Sequence, residues 1–544
     1  MISFEVQKYK KLLVRVLISV YVLSTMGCTP AHSSDNIAVN QHIAPVLLEK
    51  DHNKVAELII NPGKANKLRA VVITFAKHNI VDILQSVEVL ICKGKEEPSI
   101  GKSLVSGRTV RVEIEQALDS TSSTLAISFK AHSHADIDAT IQMKAIAAEF
   151  ETMKKQTVNM SNTRAIRLGR VLRRQGQDNC DTYRIPGLVS TNKGTLIAVY
   201  DARYNNSKDL QEDIDIGMSR SSDGGRTWEP MKIVMDMGEW GQKLQRLNGI
   251  GDPSILYDKR TGTIWVAALW MCGATEEDML WWVSKPGMKP DVTGQFIVVK
   301  STDDGQTWSE PINITSQIKD PEWQLLLAGP GRGISMEDGT LVFPAQFKAD
   351  IGEKSLDGGQ YTCHSTIVYS TDHGESWHIG SGAKPNTTEA QVVELCDGSL
   401  MLNMRDDNNR KDKSDNNGRA VFTTKNMGKT WTMHPSSNHA LPEPNCMASL
   451  INADVKVGEE IKPILLFSNP NNKSQRTNMT IKASLDEGMT WMNDHQLELN
   501  EDSGFGYSCM TQIDKTTVGI LYEGVKELYF QRVPIAEIIQ AFGK

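Results

Sequence analysis

Ser221–Trp228, SSDGGRTW, is the first of four copies of one eight-residue spelling, Ser-x-Asp-x-Gly-x-Ser/Thr-Trp. The others are Ser301–Trp308 (STDDGQTW), Ser370–Trp377 (STDHGESW) and Ser484–Trp491 (SLDEGMTW). A fifth, worn copy, Thr424–Trp431 (TKNMGKTW), carries Asn426 in place of the Asp. Asp followed two residues later by Gly is turn chemistry: the carboxylate accepts nearby backbone N–H groups, and Gly tolerates a left-handed backbone. The Trp then returns the chain to a packed layer. Repeats several tens of residues apart indicate one supersecondary unit stacked on its neighbours. The spelling therefore reads as a β-hairpin turn repeated unit by unit.

The box tryptophans stand at 228, 308, 377, 431 and 491, giving gaps of 80, 69, 54 and 60 residues. Such gaps suit four-stranded propeller blades with loop insertions of varying length. At about 60 residues per blade, the region from 165 onward predicts about six blades, one more than the visible boxes. Upstream, the pattern changes to short alternating runs: Leu68–Ala76, Val87–Cys92, Arg108–Glu115, Ser123–Ala131 and Ala139–Phe150. Period-two alternation with Gly, Ser, Asn and Asp between runs predicts strands at sandwich spacing. The expected fold class is all-β: a small β-sandwich over 36–150, carbohydrate-binding or spacer in role, a polar, helical-looking connector over 151–164, and a six-bladed propeller over 165–544.

The formal net charge of −7 provides no electrostatic case for nucleic-acid binding. At the N-terminus, Lys8, Lys10 and Lys11 precede the apolar run Leu12–Thr25, which only Arg15 interrupts, and Met26-Gly27-Cys28 follows. A basic region before a short apolar one reads as an export signal over 1–28, placing the protein in the periplasm or at the cell surface. Gly27-Cys28 resembles the end of a bacterial lipoprotein signal, with Cys28 as the lipid-bearing residue. The other seven cysteines are far apart and without a C-x-x-C pair, so they are expected as small buried hydrophobes.

The boxes, together with Tyr183-Arg184-Ile185-Pro186, resemble the bacterial exo-sialidase (neuraminidase) family over about 164–541. That resemblance implies an anionic nine-carbon sugar as substrate, borne on sialylated glycans. Guanidinium groups hold a carboxylate bidentately and stay charged, which is why three arginines suit it. The matching positions are Arg184, Arg405 in LNMR and Arg476 after SNP. Sialidases depart from the two-carboxylate glycosidase scheme by using a tyrosine nucleophile. A phenol of ordinary pKa needs a base, and a neighbouring Glu can serve. The resemblance assigns these roles to Tyr507 in Gly506-Tyr507-Ser508 and to Glu389 in TEAQVVE. Glu394 is the rival carboxylate and Tyr522 the rival phenol, the latter reading as core.

Family spacing puts the general acid/base a few residues beyond a second arginine. Arg203 and Asp209 fit, with Glu212, Asp213 and Asp215 crowding the same loop. Glu523 resembles the glutamate that orients the first arginine, and Asp252 in Gly-Asp-Pro resembles the acceptor for the substrate's N-acetyl N–H. No metal or organic cofactor is expected, because fixed arginines supply the charge stabilisation. The residues carrying the chemistry are scattered between the boxes and are assigned to different blades. The implied activity is a retaining exo-α-sialidase. A trans-sialidase or related nine-carbon-sugar hydrolase, and a non-catalytic Asp-box lectin or scaffold, are the alternatives.

Overall fold

The computed structural model describes residues 32–33, 36–62, 66–275, 277–457 and 460–539, so the proposed signal over 1–28 and its Cys28 lie outside them. The chain is all-β and divides into two compact units. The first comprises Met1–His42, His52–Lys130 and Ile141–Ala165; the second comprises Ile43–Asp51, Ala131–Thr140 and Ile166–Lys544.

In the first unit the alternating runs become strands in two sheets. Ile37–Gln41, Asn53–Ile60, Ser123–Ala131 and Leu84–Ile91 are consecutive neighbours in one, and Gln156–Asn159, Met143–Phe150, Asn66–Phe75 and Thr109–Leu118 in the other. Phe75 of one sheet meets Phe129 of the other with ring centroids 5.6 Å apart. The helical-looking stretch 151–164 is a correction. It contributes the strand Gln156–Asn159, paired antiparallel with Met143–Phe150. So short a helix is marginal alone, whereas a sheet edge satisfies its backbone groups at once.

Among the described residues, the second unit lays down six sheets in chain order, their successive long strands paired antiparallel. The first runs Thr182–Ser190, Leu196–Arg203, Ile214–Ser221, Lys232–Met235. The second is built on Ile250–Tyr257, Ile264–Trp270 and Gln295–Ser301, and the third on Leu325–Ala328, Leu341–Ala349 and Thr362–Ser370. The fourth begins Thr387–Glu394, Leu400–Asp406, Ala420–Thr424, and the fifth Ser449–Val457, Glu460–Pro470, Met479–Ser484. The sixth joins Ser508–Asp514, Thr517–Glu523 and Leu528–Pro534 to Ile166–Arg173 from the start of the unit. Apolar side chains fill every seam between successive sheets. Val199 and Val266 share one cluster, Leu256 and Phe343 the next, and Leu188 of the first sheet shares another with Leu521 of the sixth. Burial on both faces explains why these strands read as nearly continuous apolar runs.

The boxes sit between the third and outermost strands of the first five sheets. In Ser301–Trp308, Ser301 Oγ donates to Asp303 Oδ1 (2.8 Å) and accepts from Gly305 N (3.0 Å). Asp303 accepts from Thr307 N (2.9 Å) and Thr307 Oγ1 (2.5 Å). The same bonds recur around Asp223, Asp372 and Asp486. Asn426 keeps the design, its Oδ1 accepting from Thr430 N while its Nδ2 donates to Thr430 Oγ1.

The residue after the Asp adopts positive φ in all four boxes, Gly224, Asp304, His373 and Glu487, and the last three reach the first hairpin of the preceding sheet. Asp304 accepts from the Thr191 and Thr195 hydroxyls, His373 Nδ1 lies 2.8 Å from Asp258 Oδ2, and Glu487 accepts from Cys396 N. Box tryptophans pack the same seams, Trp377 against Trp265 and Trp228 against Phe530. Cys180, Cys272, Cys363, Cys446 and Cys509 are buried as expected; Cys396 is exposed and Cys92 is half-buried.

Candidate active site

The first long strand of three sheets carries a β-bulge near its start, and each bulge holds a residue singled out above. In the first sheet the register slips between Arg184 and Gly187, in the second between Gly251 and Ser254, and in the fourth between Thr387 and Ala390. A bulge leaves residues unpaired and re-aims their side chains. Pro186 and Pro253 fall in two of them, where the missing ladder donor is not needed. Ile185 there has φ 58°, strained for a β-branched residue. Glu523 Oε1 holds it by accepting from Ile185 N at 2.9 Å.

Glu523, with its side chain fully buried, organises this corner. Its Oε1 also accepts from Arg184 Nε (3.1 Å), and its Oε2 accepts from Tyr507 N (2.9 Å). One carboxylate therefore locks an arginine and a tyrosine more than 300 residues apart in sequence. Arg184 lies over the rings of Phe505 and Tyr507 and donates through Nη1 to Asp209 Oδ1 (3.2 Å). Arg203 donates to the same oxygen (2.8 Å) and also to the carbonyls of Ser207 and Lys208, which shapes the loop carrying Asp209. Buried Asp201 pairs with Arg203 and accepts from Asp252 N.

Opposite them, the Tyr507 hydroxyl donates a short hydrogen bond to Glu389 Oε1. Arg405 Nη1 donates to Glu389 Oε2 (2.6 Å) and to the Tyr507 oxygen (3.3 Å). Arg476 lies over the Tyr507 ring, 5.6 Å from its centroid. Asn445 ties two arginines together, its Oδ1 accepting from Arg405 and its carbonyl from Arg476.

The electrostatics separate these groups. Burial pushes the Tyr507 phenol well above its ordinary value, and Glu389 adds to that push while the arginines oppose it. Burial also pushes on Glu389, but Arg405 and the Tyr507 hydrogen bond outweigh it and hold the carboxyl below the ordinary glutamate value. Asp209 behaves likewise, Arg203 and Arg184 overcoming desolvation. Asp252 is driven well above the carboxylate range by burial and by Asp201.

A cavity of about 320 Å³ opens among these residues. Asp209, Asp252, Glu389, Arg405 and Tyr507 line it together with an apolar wall of Leu280, Trp281, Trp282, Leu325 and Leu327. All nine predicted residues thus occupy one neighbourhood. They come from five sheets rather than from separate ones, since Arg184 shares the first sheet with Asp209, and Glu389 shares the fourth with Arg405. The rivals lie elsewhere: Tyr522 is buried in core, and Glu394 accepts from Glu337 N. Glu212 accepts from Asn205 and Asn206, and Asp215 from Tyr204. Among the described residues no group of three His, Cys, Asp or Glu side chains could hold a metal ion. Sequence reasoning missed Asn445, Asp201 and the apolar wall. It also missed the buried Arg419–Glu443 pair, whose Arg419 Nη2 donates to the Glu389 carbonyl. The tandem Trp281-Trp282 was a visible signal.

Residues 185–497, more than half of the chain, match a family model described as a BNR repeat-like domain. The chain is 52% identical over 375 residues to a sialidase of Bacteroides fragilis, covering 69% of this chain and 66% of that protein. It is 31% identical over 358 residues to a sialidase of Paraclostridium sordellii, covering 63% of this chain and 82% of that one. Among solved structures, the Hadza microbial sialidase superposes with TM-score 0.80 at 38% identity, covering 91% of this chain and 99% of its own. The intramolecular trans-sialidase from Ruminococcus gnavus shares the fold at 20% identity and TM-score 0.53, covering 67% and 97%. The chain belongs to the bacterial sialidase family of glycoside hydrolases.

Proposed function

We propose that this sialidase is a retaining exo-α-sialidase working through a tyrosyl-enzyme intermediate, with terminal sialic acids of glycans as substrate. The observation that carries the reading is the Tyr507 hydroxyl donating to Glu389 with Arg184, Arg405 and Arg476 around the same ring. The three guanidiniums clamp the sugar carboxylate. Glu389 takes the phenol proton as the Tyr507 oxygen bonds to the anomeric carbon. The glycosidic bond breaks with its electron pair on the leaving oxygen, which Asp209 protonates. Asp209 then takes a proton from water as it displaces Tyr507, and Glu389 returns the phenol proton. A neutral nucleophile suits a centre that already bears a carboxylate, and the raised phenol keeps Tyr507 neutral until Glu389 acts. In the empty site Asp209 is held ionised by Arg203 and Arg184. A substrate carboxylate arriving on Arg184 competes for that hold and favours the protonated acid. Asp252 faces the cavity as the partner for the acetamido group.

The finer architecture follows the same reading. The six sheets are blades of a propeller, supported by the strand Ile166–Arg173 completing the last sheet and by the apolar seam joining the sixth sheet to the first. The N-terminal unit is a β-sandwich of structural rather than sugar-binding role. Residues 36–165 contain no Trp or Tyr, and their phenylalanines, Phe75, Phe129 and Phe150, are buried, leaving no aromatic face for a sugar. Residues 1–28 direct export, with Cys28 as lipid anchor; Cys28→Ser should then move the protein from the membrane fraction to the soluble one.

The deciding experiment is turnover of a fluorogenic α-sialoside beside Tyr507→Phe and Asp209→Asn. Tyr507→Phe should lower kcat by about a thousandfold or more. Undiminished activity sinks the nucleophile assignment. Early-time product NMR should show α-sialic acid, and added lactose reads any transfer.

A further inference from the structure

We propose that Lys348 is a positioning residue for the apolar wall of the pocket, fixing the loop that carries Trp281 and Trp282 and thereby governing substrate binding rather than bond making. The proposal rests on the pocket being the sialoside site. Trp281 and Trp282 belong to the four-residue helix Leu280–Val283, in the connection between Ile264–Trp270 and Gln295–Ser301 of the second sheet. One helical turn cannot hold itself in place. Trp282 stays 47% exposed, leaving much of its ring open beside the cavity.

What holds this turn comes from the third sheet. Lys348, in the strand Leu341–Ala349, has a side chain only 1% exposed. Its ammonium lies 4.2 Å from the Trp281 ring centroid and 4.7 Å from that of Trp282. It donates to the Trp281 carbonyl (3.2 Å) and to Asp357 Oδ2 (3.4 Å). Asp357, equally buried, accepts from Trp281 Nε1 (3.0 Å) and from Gly359 N (2.8 Å). A Cβ at Gly359 would come within 3.0 Å of the Trp282 ring, so a second loop packs against one part of that indole. Burying an ammonium is costly unless its surroundings answer it, and here the answer consists of two indole faces, a carboxylate and a loop carbonyl. Each of those groups belongs to the wall or to the loop behind it. None is Tyr507, Glu389, Asp209 or an arginine of the clamp.

The test is steady-state kinetics of Lys348→Met, Lys348→Arg and Asp357→Asn with a fluorogenic α-sialoside, including pH profiles. In Lys348→Met, KM should rise about tenfold while kcat stays within about threefold and the pH profile keeps its shape. Lys348→Arg, which restores a cation between the rings, should recover part of the loss. A folded Lys348→Met with wild-type KM, or one losing kcat with KM unmoved, overturns the proposal. If that variant does not fold, Trp281→Phe keeps a smaller ring but loses the bond to Asp357 and part of the indole face under Lys348, and an unchanged KM then overturns it. Near-ultraviolet circular dichroism of the indole pair reads the wall without substrate. A wild type that turns over no sialoside defeats the functional reading, whereas an indole signal unchanged in Lys348→Met defeats the positioning of the wall.

Discussion

Asp303 in the second box and Glu523 behind the pocket each accept several hydrogen bonds, yet from opposite kinds of neighbour. Asp303 is exposed and takes its donors from Ser301, Gln306 and Thr307, all within four residues. Glu523 is buried and takes its donors from Arg184, Ile185 and Tyr507, the first two over 300 residues away. The titration of the two regions differs accordingly. Donation from Thr307 holds Asp303 at about 2, and Ser376 does the same for Asp372. In the pocket Asp252 goes up by burial while Arg405 brings Glu389 down. Local satisfaction makes the box a repeatable joint; only long-range convergence gathers the pocket.

Substitutions should separate the two regions, with the largest effects in the pocket. Arg405→Met should lower kcat/KM by about a thousandfold, since it removes a guanidinium from the pocket and leaves Glu389 without its cation. The surviving activity should show its acid limb moved to higher pH, because losing Arg405 removes the pull that depresses Glu389. A limb that stays put separates Glu389 from the base role. Glu523→Gln should lower kcat/KM by about a hundredfold by loosening Arg184 and Tyr507 together. If it changes only the melting temperature, the pocket and the boxes are built alike and the contrast fails.

In the boxes, Asp304→Ala should destabilise by about 2 kcal/mol, because buried Asp304 joins two hydroxyls and Arg220 across a seam, while kcat holds. Asp303→Asn should change stability at neutral pH by less than about 0.5 kcal/mol, as Asn426 already does the same work in the fourth sheet. The sign of its pH effect follows from Asp303 being depressed in the folded state. Its contribution is whole above the unfolded carboxyl value of about 3.9 and is lost as pH falls through the folded one. Acid melts of Asp303→Asn should therefore flatten relative to wild type below about pH 4.

The boxes were legible because their bonds are local: eight residues contain every group that must meet. The site was legible where a bulge leaves a mark on the chain, as Ile185-Pro186 and Asp252-Pro253 do. The fourth-sheet bulge at Thr388-Glu389 has no proline, and there the resemblance alone distinguished Glu389 from Glu394. Asn445 and the Arg419–Glu443 pair left no mark, because each acts on partners brought from other parts of the chain, and Asp201, though it pairs with nearby Arg203, meets Asp252 N only through folding. Lys348 is a lysine in an apolar strand, and nothing beside it in sequence names two indoles as its neighbours.

By itself, the sequence determined that this protein is an all-β array of box-bearing sheets, and which arginines, carboxylates and tyrosine to watch. Tertiary structure alone decided that the glutamate expected beside Arg184 also anchors Tyr507, that Arg405 bridges Glu389 and Tyr507, and that a buried lysine backs the apolar wall. The reason is range. Turn hydrogen bonds close within one short stretch of chain, whereas a depressed glutamate or a locked arginine depends on charges that only packing brings within a few ångströms.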